Sequence, residues 1–384
     1  MKYGKKNRVS LNPLNYNICL LGESKIGKTT LVYQMCEKLV GEEGYLFTEI
    51  KGERGADAIE GINYINCLDW NGDFDELNNT IGFATLCEDI IENKSVDYPD
   101  LKVIVIDTYD YLIEISEEES IRLYNKLCRE KGDVDKVTQS INAAWGGYGK
   151  GEKKAMELMF KLFDRLADVG VRVFVIGHTK NKEVTDIITG NQYSTITSDQ
   201  QQNYFNALKK RLHFLGLAYI DRTFVKKDTG KTLPNNNKKK EVNVVTSETR
   251  RIKFRDDNYA VDSGSRFADI VDEIPMDVDE FIKALTDAIE SESKKSGQSL
   301  TQTKKEEAKI TKAKEQRAKE IEKQAKSGKE LADLIDDIMD FCKEHRKDLD
   351  KVKPIMQAVR EMGYDKPQSI TDINDAKKVL ALCK

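Results

Sequence analysis

Residues 22–29 read Gly-Glu-Ser-Lys-Ile-Gly-Lys-Thr, a complete match to G-x-x-x-x-G-K-[ST]. The run before it, Tyr16 to Leu21, is largely apolar and suits a buried strand, and Thr30 to Val40 has helical spacing. A strand, a glycine loop and a helix in that order form the setting in which such a loop cradles phosphate, and they commit this part of the chain to an α/β layer. Gly22 and Gly27 let backbone N–H groups turn toward phosphate oxygens, with Glu23, Ser24, Lys25, Ile26 and Thr30 completing the cradle. Lys28 can reach the β- and γ-phosphates, and the Thr29 hydroxyl can ligate Mg²⁺. The loop therefore predicts a bound nucleoside triphosphate with Mg²⁺.

The rest of the N-terminal three-quarters extends the same architecture. Tyr45–Glu49, Val103–Ile106 and Val171–Ile176 are Val/Ile-rich or otherwise apolar runs, separated by helix candidates at Asp75–Asn93, Glu114–Lys131 and Gly151–Gly170. Such runs between helices predict a parallel sheet covered on both faces. Residues 217–262 alternate instead, and turn residues around Asp228–Lys231 and Pro234–Lys240 predict antiparallel hairpins at a sheet edge with a basic tip. A helix over Asp277–Glu292 closes the unit. Residues 304–326 carry nine Lys/Arg against five Asp/Glu, with Ile310 and Ile321 as the large apolar residues, which predicts a solvated helix or arm. Helical spacing returns at Leu331, Leu334, Ile335, Ile338 and Phe341, followed by helix candidates at Pro354–Met362 and Asp375–Leu382. The expected division is an N-terminal arm (1–15), a nucleotide-binding α/β core (16–292), a charged linker (293–329) and a small helical domain (330–384).

Composition narrows the class further. Net charge is −4, so nucleic-acid binding would have to come from local basic patches. The seven cysteines form no C-x-x-C pair, which with the absence of an apolar leader or spanning run predicts a cytoplasmic protein with reduced thiols and no membrane association.

Outside the loop, Asp107 ends an apolar strand and is expected beside the first strand as the Mg²⁺ acid, with a helix cap as the alternative and Asp110 as a lesser candidate. Glu49 ends the second strand, where a carboxylate could deprotonate an attacking water; Glu53 competes for that role. His178, in Val175-Ile-Gly-His-Thr-Lys180, follows a buried strand on the ligand edge of such a sheet and could sense the γ-phosphate. Lys180 could reach a neighbouring subunit's phosphate. His213 and His345 lack such a setting. Trp145, Tyr148 and Lys150 in a glycine-rich stretch suggest base stacking with a phosphate contact, the alternative being a turn with a packed Trp. Lys209, Lys210 and Arg211 follow a Tyr-Phe pair, and Lys238–Lys240, Arg250, Arg251 and Arg255 add to a basic side.

Gly22–Thr30, Glu49, Val103–Asp107 and Val175–Lys180 together resemble the RecA-type ATPase core. More narrowly, with Asn206–Arg211, Arg250–Arg255 and Ser265–Val271, the chain resembles the phage-encoded AAA-type ATPases with a RecA-like core, over roughly residues 16–290. The resemblance implies an ATPase that acts on single-stranded DNA in annealing or recombination, beside a single-stranded-DNA-binding protein and as a homo-oligomeric ring or filament. It implies Lys28 and Thr29 at the phosphates and Mg²⁺, Asp107 at Mg²⁺, Glu49 as water activator and His178 as phosphate sensor, where RecA itself carries Gln. Rival readings are an ATP-gated annealing scaffold without catalysis, a DNA packaging or unwinding motor, and a regulator that touches only protein.

Overall fold

A computed structural model describes residues 9–185, 190–232, 239–255, 263–295, 300–346 and 348–383. Its centre is a sheet of strands β1 (Ile18–Gly22), β2 (Tyr45–Ile50), β3 (Tyr64–Cys67), β4 (Val103–Asp107), β5 (Arg172–Thr185), β6 (Gln192–Ser198), β7 (Phe214–Thr232), β8 (Lys239–Lys253), β9 (Gly264–Ser265) and β10 (Glu273–Pro275). The order is β10-β8-β7-β1-β5-β4-β2-β3. The run from β7 to β3 is parallel, and β8 and β10 are antiparallel at one edge. This is the mostly parallel α/β sheet with antiparallel edge strands that a RecA-like P-loop core requires.

Alternation along each central strand splits the side chains between two cores. Cys19, Leu21, Ile104, Ile106, Val173 and Val175 face one side. Ile18, Leu20, Val103, Val105, Phe174 and Ile176 face the other. Each such fully buried side chain stabilises the fold by roughly 1.5–3 kcal/mol, and a one-residue slip of register would exchange the two sets. Helices α1 (Lys28–Val40) and α6 (Val278–Lys295) cover one face; α2 (Phe83–Asn93), α3 (Tyr109–Lys131), α4 (Lys150–Asp168) and α5 (Gln202–Lys209) cover the other. Cys19, Cys36, Cys67 and Cys87 are buried in these cores as small apolar packing residues.

Three features differ from the sequence-based expectation. Asp107 is not on the neighbour of the first strand: β5 lies between β1 and β4, pairing with both. Residues 75–82 form a turn rather than helix, closed by reciprocal backbone bonds between Asp75 and Thr80, so α2 begins at Phe83. The charged stretch is one continuous helix, α7 (Leu300–Glu344), and the expected boundary at 329/330 falls inside it. Nor is that stretch wholly solvated: Ala318 is buried and Ile321 packs against the core, while Lys329 pairs with Glu92 at 3.0 Å. The C-terminal part of α7 joins α8 (Leu349–Glu361) and α9 (Ile373–Leu380) around a small apolar core of its own, with Ile338, Ile355, Val359 and Val379 fully buried. Of the basic hairpin tip, Pro234–Lys238 lie outside the described residues. Among the described residues no helix is long and apolar enough to cross a membrane.

Candidate functional site

The site forms at the C-terminal ends of β1, β2, β4 and β5. Gly27 caps α1 with φ of +106°, a backbone state that an L side chain rarely adopts. Gly22 is fixed by space: a Cβ there would sit 3.0 Å from the Ala218 carbonyl oxygen on β7. The loop thus delivers the free N–H groups and the positive end of α1 to one point. Lys28 is buried and its Nζ donates to the carbonyls of Gly22 (3.0 Å) and Glu23 (2.9 Å). Burial lowers its pKa, while Asp107, Glu53, Asp110 and Glu23 oppose the shift.

Asp107 is buried, and burial raises its carboxyl pKa to about 6 against the hydrogen bond from Thr29. That bond, Thr29 Oγ1 to Asp107 Oδ2, is 2.7 Å. Glu49 stands in register with Asp107 across β2 and β4. Its side chain is 1% exposed, and its Oε1 accepts the Ala56 N–H at 2.6 Å. Burial lifts its pKa to about 7; the Ala56 bond opposes this, and Asp107, Asp57 and Glu53 add to it. Glu53, in the loop after β2, is only half-buried, so the enclosed carboxyl is Glu49.

His178 lies beside Gly22 in the β1–β5 register. Its Nδ1 is 3.0 Å from Asp110 Oδ2, and its backbone N–H donates to the same oxygen at 3.2 Å. Gln200 Nε2 donates to Asp110 Oδ1 at 2.7 Å. Burial pushes the Asp110 carboxyl up, but the bonds from His178 and Gln200 outweigh it and hold the pKa low. Gln200 was not legible in the sequence: it follows a polar hairpin and carries no motif, and only the fold returns it to His178. Arg250, read as part of a basic nucleic-acid side, instead has a guanidinium nitrogen 3.5 Å from where a Gly27 Cβ would stand, so it overhangs the phosphate loop.

The donor set fits Mg²⁺. Thr29 and Asp107 offer a hydroxyl and a carboxylate facing each other, the hard oxygen ligands that this ion takes together with phosphate and water. Gly55 leaves the space: a Cβ there would lie 3.0 Å from Thr29 Oγ1 and 3.4 Å from Asp107 Oδ2. Among the described residues no group of three or more His, Cys, Asp or Glu could hold a metal unaided. When bound, Mg²⁺ supplies neutralisation of charge on the β- and γ-phosphate oxygens.

The nucleic-acid candidates do not join this site, and several are committed elsewhere. Trp145 is a packing residue: its indole N–H donates to the Ser120 carbonyl (3.1 Å) and hydroxyl (3.2 Å), and its ring lies 5.7 Å from Tyr124. Tyr148 is 100% exposed and Lys150 is exposed beside it. The Tyr-Phe pair is core, with Tyr204 bonded to Glu117 at 2.6 Å and Phe205 buried. Arg211 pairs with Asp164 at 2.6 Å over the Phe160 ring. Lys209 and Lys210 are exposed, the former with its Nζ 5.8 Å from the Phe205 ring. Lys180 Nζ donates to the Asp199 carbonyl at 2.7 Å. Arg251 pairs with Glu273.

The AAA domain family model matches residues 14–240 of the chain, more than half of it and the whole span from Gly22 to His178. No curated protein matches. The chain belongs to the AAA domain family of P-loop ATPases.

Proposed function

We propose that the chain binds ATP with Mg²⁺, hydrolyses it, and acts on single-stranded DNA in phage-type recombination, annealing or replication. The observation that carries the hydrolytic part is the in-register pair of Glu49 and Asp107, one buried carboxyl beside the Thr29 ligand and the other enclosed next to it. A carboxyl with a pKa near 7 suits proton abstraction at neutral pH, because it is deprotonated often enough to act and basic enough to take the proton. In this reading Lys28 leaves the loop carbonyls for the β- and γ-phosphates. Glu49 orients the water and takes its proton. His178, held by Asp110, which Gln200 holds in turn, meets the γ-phosphate from the neighbouring strand. Tyr148 on a glycine-rich turn and Lys150 at the start of α4, both exposed, support the nucleic-acid part, as do exposed Lys209 and Lys210. Assembly into a ring or filament would let Lys180 complete a neighbour's site, and the C-terminal helical unit would meet a single-stranded-DNA-binding protein.

Phosphate release under multiple turnover, with and without single-stranded DNA, tests this reading. The expected result is Mg²⁺-dependent turnover that DNA changes and that Lys28→Ala abolishes, together with DNA binding that weakens steeply with salt. Turnover without any salt-sensitive DNA binding would refute the DNA part and leave a regulator that touches protein.

A further inference from the structure

The opposite edge of the sheet, where the parallel strands begin, opens on a cavity of about 1360 Å³. Six basic and six acidic side chains line it, and three of the cations come from separate elements. Lys102 immediately precedes β4, Arg172 opens β5, and Lys314 lies on α7. The first two are locked at the strand starts, since the Arg172 N–H donates to the Lys102 carbonyl at 2.8 Å and the Lys102 N–H to that of Gly44 at 2.8 Å. Lys314 packs its stem on Gly170, so its ammonium is carried to the same end.

These three charges lack the partners that such a cluster needs. None makes an ion pair within 4 Å among the described residues. Arg172 Nε is buried with no hydrogen-bond partner. Asp168 is the one carboxylate among the charges that act on both Arg172 and Lys314. Burial lowers the Lys314 pKa to about 8, and repulsion from Arg172 and Lys102 adds to that. Of the lining acids, Glu307 accepts from Ser10 and Asn15, Glu292 pairs with Lys295 at 3.8 Å, Asp100 and Glu315 act on Lys94, and Glu42 and Glu43 complete the set. A buried guanidinium Nε without an acceptor, in a cluster with two ammonium groups, is a cost that Asp168 offsets only in part. A planar fork flanked by two point charges is the donor set that matches a phosphate group of two or more negative charges.

We propose that this cavity is a second phosphate-binding site, distinct from the loop at 22–29, that takes a di- or triphosphate chain on Lys102, Arg172 and Lys314. The ligand is either a free oligophosphate or the phosphate chain of a nucleotide. Because Lys314 is on α7 and the other two are at strand starts, the bound anion clamps α7 onto the core. Nothing in this assignment depends on hydrolysis at Glu49.

The test uses the full chain carrying Lys28→Ala, which disables the phosphate loop. Calorimetric titrations with inorganic pyrophosphate and, separately, with ADP read the affinity, and hydrogen exchange reads the location. The expected result is saturable pyrophosphate binding, weakened at least tenfold by adding Lys102→Ala and Lys314→Ala, with exchange slowed over residues 307–319 in the Lys28→Ala protein. Pyrophosphate binding without ADP binding supports a free oligophosphate, and equal or tighter ADP binding supports a nucleotide. Absence of saturable binding, or equal binding after removal of both lysines, overturns the proposal. So does slowed exchange confined to residues 22–30, an outcome readable even if the triple variant misfolds.

Discussion

Glu49→Gln removes one carboxylate while keeping its volume and the oxygen that accepts the Ala56 N–H. If Glu49 is the general base, turnover should fall by 10²–10⁴-fold, or ~3–5 kcal/mol of transition-state stabilisation. The same substitution has a second effect, measurable without nucleotide or Mg²⁺. The folded-state pKa of about 7 stands above the ordinary 4.5 because burial disfavours the charged form. The folded protein therefore keeps the Glu49 proton through a pH window in which the unfolded chain has lost it. Stability contributed by the neutral form is fully present below pH 4.5 and is lost as pH rises toward 7. Above pH 7 the charged carboxylate costs ~3.5 kcal/mol, taking the gap between the two pKa values at ~1.4 kcal/mol per pH unit. The Gln variant should match the parent at pH 4.5 and gain roughly 5 °C in Tm at pH 8. Phosphate release and thermal unfolding at the two pH values measure both effects. Turnover above one tenth of the parent's would refute the base assignment; a Tm gain that is absent, or equal at both pH values, would refute the burial argument.

Gly55→Ala inserts a methyl 3.0 Å from Thr29 Oγ1 on an ordinary helical backbone, so the fold should persist while the Mg²⁺ concentration for half-maximal turnover rises about tenfold. Trp145→Ala and Tyr148→Ala should separate packing from DNA contact. The first should lower stability by about 2 kcal/mol in thermal unfolding. The second should leave Tm unchanged and weaken single-stranded-DNA binding by ~1–3 kcal/mol in a fluorescence titration. Ile355→Ala empties a fully buried position in the C-terminal core and should cost that unit ~2–5 kcal/mol in hydrogen exchange, with ATP turnover unchanged.

The phosphate loop was legible because its chemistry is local: eight consecutive residues and their flanks define it. That Asp107, Glu49 and His178 come together at one end of the sheet was legible because each ends or follows an apolar run, and parallel strands gather such ends. The insertion of β5 between β1 and β4 was not, because strand order is set by crossover connections and leaves no trace in any single strand. Strand β3 is four residues long, and β6 pairs with the exposed half of β5, so neither shows an apolar run. Trp145 could be a stacking platform or a packed turn until Ser120 on α3 claimed its N–H. The buried face of α7 is written in residues as small as Ala318, which a reading for large apolar side chains passes over.

Strand β5 changes its mechanical character at one residue. Up to His178 it is laced to β1 on one side and, over Arg172–Ile176, to β4 on the other. From Thr179 onward its ladder partner is β6 alone, and most of the side chains there are exposed. A strand clamped between two neighbours is stiff; the same strand as half of an open hairpin is compliant. The step in stiffness falls at the side chain placed beside the phosphate loop. A displacement at His178 would meet the doubly paired sheet on one side and the singly paired hairpin on the other.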